Sequence, residues 1–369
     1  MNMKVLMIST DNRIFDHLSD VQNRMKDYRS LVDELNIIVC SKNDKQIDLG
    51  SNIKVFSTNS KNKIFYFWDA IKIAKNNIKS QINLVTSQDP FETGLAGYFI
   101  ARRLKSKLQL QIHTDFLSPY FAKESLKNKV RVLIAKYLLP KANNIRVVSE
   151  RIRQSLKSYD LRLTTISVLP IFVDVEKIKS APINIDLHKK YPEFDFIILM
   201  TSRLEKEKNI KLAIRAMEEI VKKFPKTVLI IAGSGSEEKN LQLMAYSLQL
   251  QDNIKFEGWV EDLASYYKSC DAYLLCSNYE GYGMTLIMAQ SVGCPIITTD
   301  VGVVGETINK DNALIVPVGD KKAIVDSIIK LQTDSEFKIN LGKKMQESID
   351  SVRSKEEYLR KYKQSWEKI

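Results

Sequence analysis

The sequence predicts an α/β protein made of two doubly wound units, each a parallel sheet with helices on both faces. Short β-branched runs that end in Ser or Thr alternate with helical patterns along the chain. Those runs are apolar almost throughout, as strands buried on both faces must be. The alternation also starts afresh in the second half, which marks a second sheet rather than a larger first one. With 369 residues, 44% of them apolar and 27% charged, the chain can fill two cores of about 150 to 200 residues each.

In the first half the strand-like runs are KVLMIS (Lys4 to Ser9), NIIVCS, INLVTS, LQLQIHT and NIRVVSE. The second half offers FIILMTS, TVLIIAGSG, IKFEGWV, AYLLCS, CPIITT and ALIVP. Between the two sets, ISVLPIFVDVEKI leads into a Pro-punctuated, weakly periodic stretch from Ser180 to Phe194, so the boundary is expected near Pro170. This gives a first domain of residues 1–170 and a second of 171–353. No heptad or solenoid repeat is visible.

No apolar run reaches the roughly 18 to 20 residues that span a bilayer. The opening MNMKVLMIST shows no cleavage-site pattern, so a cytosolic location is expected. Cys40, Cys270, Cys276 and Cys294 are scattered, without zinc spacing, and read as buried thiols. The net charge is +12, with 56 basic against 44 acidic residues. Residues 101–162 hold fifteen basic residues and four acids, Asp115, Glu124, Glu150 and Asp160, and so carry +11. Such a stretch attracts anionic partners, or it is a solvated lysine face. No helix-turn-helix, zinc module or RNP-type aromatic pattern accompanies it, which argues against nucleic acid. Within it, Lys123, Lys127, Lys129, Arg131 and Lys136 mix with Phe121, Val130, Leu133, Ile134, Tyr137 and Leu138. The apolar positions are expected to pack on the sheet, with the cations free to face an anionic membrane.

Three of the thirteen glycines precede residue 200 and ten follow it. Backbone approaches phosphate closely only where no Cβ intervenes, so the second half is the better anion binder. Gly233 and Gly235 follow VLIIA, Gly281 and Gly283 follow YLLCSNYE, and Gly302 follows IITTDV, all at strand ends. Neither a Walker A motif nor Gly-x-Gly-x-x-Gly occurs. In TSRLEKEKN, Arg203 and Lys208 can clamp a diphosphate and neutralise charge on a departing phosphate. In Glu280-Gly-Tyr-Gly-Met-Thr, the glycines allow a sharp turn. The amides of Met284 and Thr285 would then face the same anion as a helix N-terminus. Glu280, repelled by phosphate, fits sugar hydroxyls better. Gly302-Val-Val-Gly305-Glu306 reads as a third strand-to-helix turn, and Glu306 either joins the site or is an ordinary helix N-terminal acid.

Taken in order, these pieces resemble the family 4 retaining glycosyltransferases of the GT-B fold, whose two Rossmann-like domains face each other across a cleft. The family's Gly-Arg-Leu-x-x-x-Lys-Gly reads here Ser202-Arg203-Leu204-x-x-x-Lys208-Asn209, keeping the Arg and Lys and replacing both glycines. Ser277, Glu280, Gly281, Tyr282 and Gly283 match its Ser-x-x-Glu-Gly-Phe-Gly. AGSG, containing Gly233, matches Ala-Gly-x-Gly, and Gly302 with Glu306 matches Gly-x-x-x-Glu. In the first half, His113 in QIHTD resembles the acceptor-side histidine, and VVSE at 147–150 is also similar. One departure stands out: Met288 occupies the second carboxylate position of Glu-x7-Glu, which in the family holds the nucleotide ribose. A thioether accepts hydrogen bonds poorly, and Gln290 is turned roughly 200° away along a helix. Pro170-Ile171 also replaces the common Pro-Asn-Gly, and the first loop, STDNRIFDH, lacks the glycines of many relatives.

The resemblance implies a nucleotide-diphosphate sugar, UDP- or GDP-linked, on the second domain and a lipid-linked saccharide or growing glycan on the first. Transfer would retain configuration. Arg203 and Lys208 would stabilise the leaving phosphate, Glu280 would orient the donor sugar and Glu306 would contact sugar or nucleotide. His113 would reach the transferred sugar, and Gly233, Gly281, Tyr282, Gly283, Met284, Thr285 and Met288 would line the donor site. Residues 354–369 would pack back on the first domain. No Asp-x-Asp occurs, so neither a metal nor another cofactor is expected. Residues 101–162 would place the enzyme at the inner face of the cell membrane. The alternative is a non-catalytic GT-B scaffold that binds a partner enzyme or a nucleotide sugar, for which Met288 speaks. A sugar-nucleotide epimerase would need acid/base groups that this pattern lacks.

Overall fold

Apolar runs with no polar face can satisfy their backbone only between other strands, and they form parallel sheets here. The computed structural model describes residues 3–45, 47, 49–50, 52–159, 161, 164–351 and 354–367. Asp160 and Arg162 of the basic stretch, and residues 368–369 of the terminal segment, lie outside them. Two units are present, Met1–Pro170 with Ser354–Ile369, and Ile171–Arg353.

In the first unit, β1 (Lys4–Ser9), β2 (Glu34–Val39), β3 (Ile53–Ser57), β4 (Leu84–Ser87), β5 (Lys107–Ile112), β6 (Asn144–Val147) and β7 (Thr165–Val168) form one sheet. Its order is β3-β2-β1-β4-β5-β6-β7, all parallel. The edge strands β3 and β7 are additions to the runs read from sequence; their side chains are mostly half-buried or exposed, so they lack the continuous apolar signal. Helices α1 (Asp20–Arg29), α2 (Tyr66–Asn77), α3 (Glu92–Leu104), α4 (Pro119–Glu124), α5 (Leu126–Leu138) and α6 (Glu150–Ser155) connect them. Ser19, Ser125 and Ser149 start α1, α5 and α6 by accepting from the amides of Gln22, Asn128 and Ile152.

Helix α5 departs from the expected packing. Phe121 and Leu138 are buried, but Val130, Leu133 and Tyr137 are exposed. The inward face of α5 is Asn128, Ala135 and Leu138, and Leu138 packs over Gly94 of α3, where a Cβ would lie 3.2 Å from Leu138 Cδ1. That seat turns the remaining apolar positions outward.

In the second unit, β8 (Phe196–Thr201), β9 (Thr227–Ala232), β10 (Ile254–Gly258), β11 (Ala272–Leu275), β12 (Ile296–Thr299) and β13 (Leu314–Val316) pair in the order β10-β9-β8-β11-β12-β13, again all parallel. Around them lie α7 (Val175–Ser180), α8 (Leu187–Lys190), α9 (Ile210–Lys223), α10 (Glu238–Ser247), α11 (Leu263–Ser269), α12 (Met284–Ser291), α13 (Lys321–Thr333) and α14 (Ser335–Glu347). Ile210, Ala213, Ile214, Met217 and Ile220 recur at helical spacing and bury α9 in the same core as Leu229, Ile231 and Leu274. Each large aliphatic side chain buried there contributes about 1.5 to 3 kcal/mol. Winding reverses between β1 and β4 in one sheet and between β8 and β11 in the other. Beyond the carboxyl ends of such strand pairs the loops diverge and leave a crevice.

A last helix, α15 (Lys355–Glu367), belongs to the first unit. Tyr358, Tyr362 and Trp366, four residues apart, form its buried face. Tyr362 stacks on Tyr28 at 4.1 Å and lies 4.7 Å from the guanidinium of Arg146. Arg146, one of the fifteen basic residues of the 101–162 stretch, is buried. It donates to Gln111 Oε1 (2.8 Å), the Leu169 carbonyl (3.2 Å) and Tyr358 Oη (3.4 Å). No carboxylate pairs with it among the described residues, so carbonyls, a phenol and a ring face solvate its charge. Gln109 Nε2 also donates to the Ser365 carbonyl at 2.9 Å. No helix among the described residues is long and apolar enough to cross a membrane.

Because Trp366 is almost fully buried against Tyr28 and Tyr362, Trp366→Ala is expected to cost about 3 to 5 kcal/mol. Hydrogen exchange should show the loss at β5 and β6 amides and spare β8 and β11.

Candidate functional site

At the reversal point of the second sheet, two loops leave adjacent strands. After β8, the chain runs through Ser202, Arg203 and buried Leu204 into a short 3-10 turn, Lys206–Lys208. Asn209 then takes φ 46° before α9 begins. After β11, Ser277 to Gly283 lead into α12, with Gly283 at φ 91° as its N-cap. Lys208 Nζ donates to Glu280 Oε1 at 2.6 Å, and Ser277 Oγ donates to the same oxygen at 2.7 Å. Both charged side chains are about 85% buried, at 15% and 13% exposure. The amide of Asn278 donates to the Glu207 carbonyl at 2.7 Å, and Asn209 Nδ2 to Asn278 Oδ1 at 3.1 Å, which pins the loops together.

Two neighbouring loops close on this pair. The Leu204 amide donates to the Ser234 carbonyl at 2.9 Å. A Cβ on Gly233 would sit 1.9 Å from the Ser202 carbonyl oxygen, and φ 138° is itself a glycine conformation. On the other side, the Val303 amide donates to the Tyr282 carbonyl at 2.8 Å. Here a Cβ on Gly302 would lie 2.4 Å from that carbonyl oxygen. Beneath, the hydroxyls of Thr201, Tyr267 and Tyr273 meet, and Tyr273 also bonds the Thr285 side chain. This buried cluster ties the end of β8 to the first turn of α12. As first-turn amides of α12, those of Met284 and Thr285 have no intrahelical partner.

Arg203 is not drawn to Lys208. Its guanidinium donates to Glu207 Oε1 at 2.8 Å and is 72% exposed, an ion pair of small worth in water. The two cations expected to form a clamp are each held by a carboxylate instead. Sequence reasoning missed Glu207, although its i,i+4 spacing from Arg203 was a usable signal. It missed Tyr267 and Tyr273 too, for which no local pattern exists. Glu306 also departs from expectation. Residues 300–312 form turns with an isolated bridge, Val304 to Ile308, and no helix starts before Lys321. Gly305 at φ 93° and the Glu306 amide bond to the Val303 carbonyl, 3.0 Å, tighten the turn instead. Glu306 is half-buried. A cavity of about 630 Å³ in this unit is lined by Lys310, Lys330, Phe337, Lys343 and Lys344, and by none of these site residues.

His113 stands just past β5 in the first unit, one strand removed from that unit's reversal point between β1 and β4. Its Nε2 is 3.1 Å from Gln111 Oε1. That oxygen already accepts from Arg146, which can only donate, so it accepts from His113 as well. Nε2 therefore carries the proton, and Nδ1 remains as an acceptor. Desolvation, then the charges of Arg146 and Arg24, push the His113 pKa down to about 3, and the ring is neutral at physiological pH.

Residues 185–348 match the model described as "Glycosyl transferases group 1", and residues 36–177 match "Glycosyltransferase Family 4". Together the two matches cover most of the chain, which belongs to the family 4 type of glycosyltransferases. Among curated relatives, the alpha-monoglucosyldiacylglycerol synthase of Streptococcus pneumoniae is 29% identical over 63% of the chain and 54% of its own length. The matched region thus spans about half of that relative. Sucrose-phosphate synthase from Thermosynechococcus elongatus superposes with a TM-score of 0.80 at 17% identity, over 99% of this chain and 98% of that one. Anabaena HepE, solved with UDP and glucose, gives 0.78 at 17% identity and full coverage of both chains. At such identities these structures speak for the fold: two Rossmann-like domains of the GT-B class.

Two departures of this glycosyltransferase from its family pattern find a physical account. Asn209 takes the left-handed conformation that the family's glycine supplies, a position asparagine tolerates. Gln290 is committed elsewhere: Nε2 donates to the Thr307 carbonyl (3.3 Å) and to Ser348 Oγ (2.7 Å). It cannot take the place of a carboxylate at Met288, which is half-buried.

The depressed His113 pKa sets a pH window. Below the ordinary value of 6.5 the unfolded chain binds a proton at this ring, while the folded chain does so only near 3. Stability is therefore unaffected above the ordinary value and falls as pH drops from 6.5 toward 3. In urea titrations, His113→Gln should flatten the decline between pH 6.5 and about pH 4.

Proposed function

We propose that the chain transfers a sugar, with retention of configuration and without a metal ion, from a nucleotide-diphosphate donor to a hydroxyl of a lipid-linked or polysaccharide acceptor. The Lys208–Glu280 pair beside the α12 N-terminus carries this reading. A diphosphate entering there competes for Lys208 and is met by the Met284 and Thr285 amides. Lys208 moves to phosphate, and Glu280, still held by Ser277, is released to accept from donor sugar hydroxyls. Arg203 exchanges Glu207 for the second phosphate.

The anomeric C–O bond to phosphate then breaks as the acceptor oxygen bonds the same face of the sugar. The acceptor proton passes to the departing phosphate oxygen, so no strong protein base is required. One well-placed cation at that oxygen is worth roughly 3 kcal/mol of barrier. His113 Nδ1 accepts from a sugar hydroxyl. Glu306 contacts sugar or nucleotide. The first unit binds the acceptor at the inner face of an anionic membrane, and the printed name of the pneumococcal relative, a diacylglycerol glycolipid synthase, supports a lipid acceptor. HepE, crystallised with UDP, supports a uridine donor over a guanosine one.

Met288 favours a second reading, a scaffold that binds nucleotide sugar or a partner enzyme without turnover. Titration calorimetry with UDP, GDP, ADP and their sugar conjugates separates the two, followed by transfer assays with labelled donor. UDP should bind and Arg203→Ala should remove most of that binding. Restoring a ribose contact is worth about 1.5 to 3 kcal/mol, so Met288→Glu should tighten binding roughly 10- to 100-fold. No binding by any form would overturn the transfer reading, and binding without turnover would favour the scaffold.

A further inference from the structure

We infer that the first unit docks on an anionic lipid bilayer through the outward face of α5, joined by exposed aromatic residues of α2 and α3. The inference rests on the lipid-acceptor reading for its purpose, and on surface chemistry for its content. Leu126, Val130, Leu133 and Tyr137 recur at spacings of four, three and four, which places them on one side of α5. They are 77%, 50%, 67% and 52% exposed. Asn128, Ala135 and Leu138, the buried face, lie opposite. At about 100° per residue, Lys129 and Lys136 border the stripe on one side and Lys127 on the other. An outward apolar stripe between lysines cannot serve the core and is the pattern of a helix lying in a membrane interface.

The patch extends beyond α5. Tyr137 meets Tyr98 edge-on at 6.3 Å, Tyr98 meets Phe99 at 5.4 Å, Phe99 meets Phe67 at 5.6 Å and Phe67 meets Trp68 at 4.8 Å. This run of rings crosses α5, α3 and α2 without a break. Phe99, Trp68, Phe65 and Ile64 are exposed along it. Aromatic rings with polar handles concentrate at the headgroup level of bilayers. Contiguous exposed apolar surface on this scale marks an interaction site.

Charge selects the occupant. Lys61 and Lys63 precede α2, Arg102 and Arg103 end α3, and Lys123, Lys129 and Lys136 are exposed on α4 and α5. Of the nearby acids, Glu92 is held by Arg131 (3.0 Å) and Lys127 (3.5 Å), and Asp69 and Glu124 are outnumbered by these cations. A surface with this excess of cations repels a second copy of itself and attracts anionic headgroups, while lysine stems extend along the apolar stripe.

Vesicle sedimentation tests the inference with no donor or acceptor present, using phosphatidylcholine alone and phosphatidylcholine with about 30 mol% phosphatidylglycerol. The protein should bind the anionic vesicles and release them as salt rises. Leu126→Ser with Leu133→Ser, and separately Lys129→Glu with Lys136→Glu, should each weaken partitioning roughly tenfold or more. Leu243→Ser, an equally exposed leucine on α10 of the other unit, should leave it unchanged. Fluorescence of Trp68 should shift to the blue on binding, and Trp68→Phe should remove the shift. Equal binding by all variants, or no preference for anionic vesicles, would overturn the inference. So would a dimer in solution that the same substitutions dissociate. Failure here leaves nucleotide binding untouched, and failed nucleotide binding leaves docking untouched, so the two readings fall separately.

Discussion

The reversal of winding between β8 and β11 is the constraint on which the site depends. Strands that run side by side into connections on opposite faces must let their following loops part, and the gap between those loops is the only place where a ligand can meet several strand ends at once. Here the gap is bridged by one ion pair, Lys208 to Glu280. Neither partner can be half-satisfied in so enclosed a position, because an uncompensated charge there is costly. Each therefore keeps the other compensated. The glycines at 233 and 302 serve the same end from outside the pair: they let two further loops press their backbone against it.

The first unit solves a different problem. A guanidinium buried on β6 has no carboxylate to neutralise it among the described residues, and it is held by Gln111, a carbonyl, Tyr358 and the face of Tyr362. Gln111 also fixes which nitrogen of His113 bears the proton. One buried cation thus orients both the terminal helix and the histidine that faces substrate in the proposed reaction.

Much of this could be read from the chain before its structure. Continuous apolar runs located the central strands, and glycines at strand ends located the loops of the second unit. The edge strands β3 and β7 were illegible because edges need no continuous apolar run. The order of helical apolar positions in α5 said that a face existed, but not which way it turned; Gly94 decided that through the seat it gives Leu138. The helix expected after Gly305 failed because glycine, valine and glutamate are as compatible with consecutive turns as with a helix start. Arg203 and Lys208 were legible as cations; the pairing of Arg203 with Glu207 was open to the i,i+4 rule, whereas that of Lys208 with Glu280 was settled only by side-chain geometry. The surroundings of Arg146 involve residues more than 200 positions away, which no local pattern reaches.

That separation has a consequence for biosynthesis. Strands β1 to β7 leave the ribosome long before α15, since all of residues 171–353 must be made between them. At about 5 to 20 residues per second, the delay is on the order of ten seconds or more. During it, Tyr28 lacks its stacking partner, Gln109 lacks the Ser365 carbonyl, and Arg146 has neither phenol nor ring to solvate it. The second unit, contiguous in the chain, can complete itself first. The nascent first unit must wait with an open seam, and truncation late in translation leaves a finished second unit and an unsealed first one.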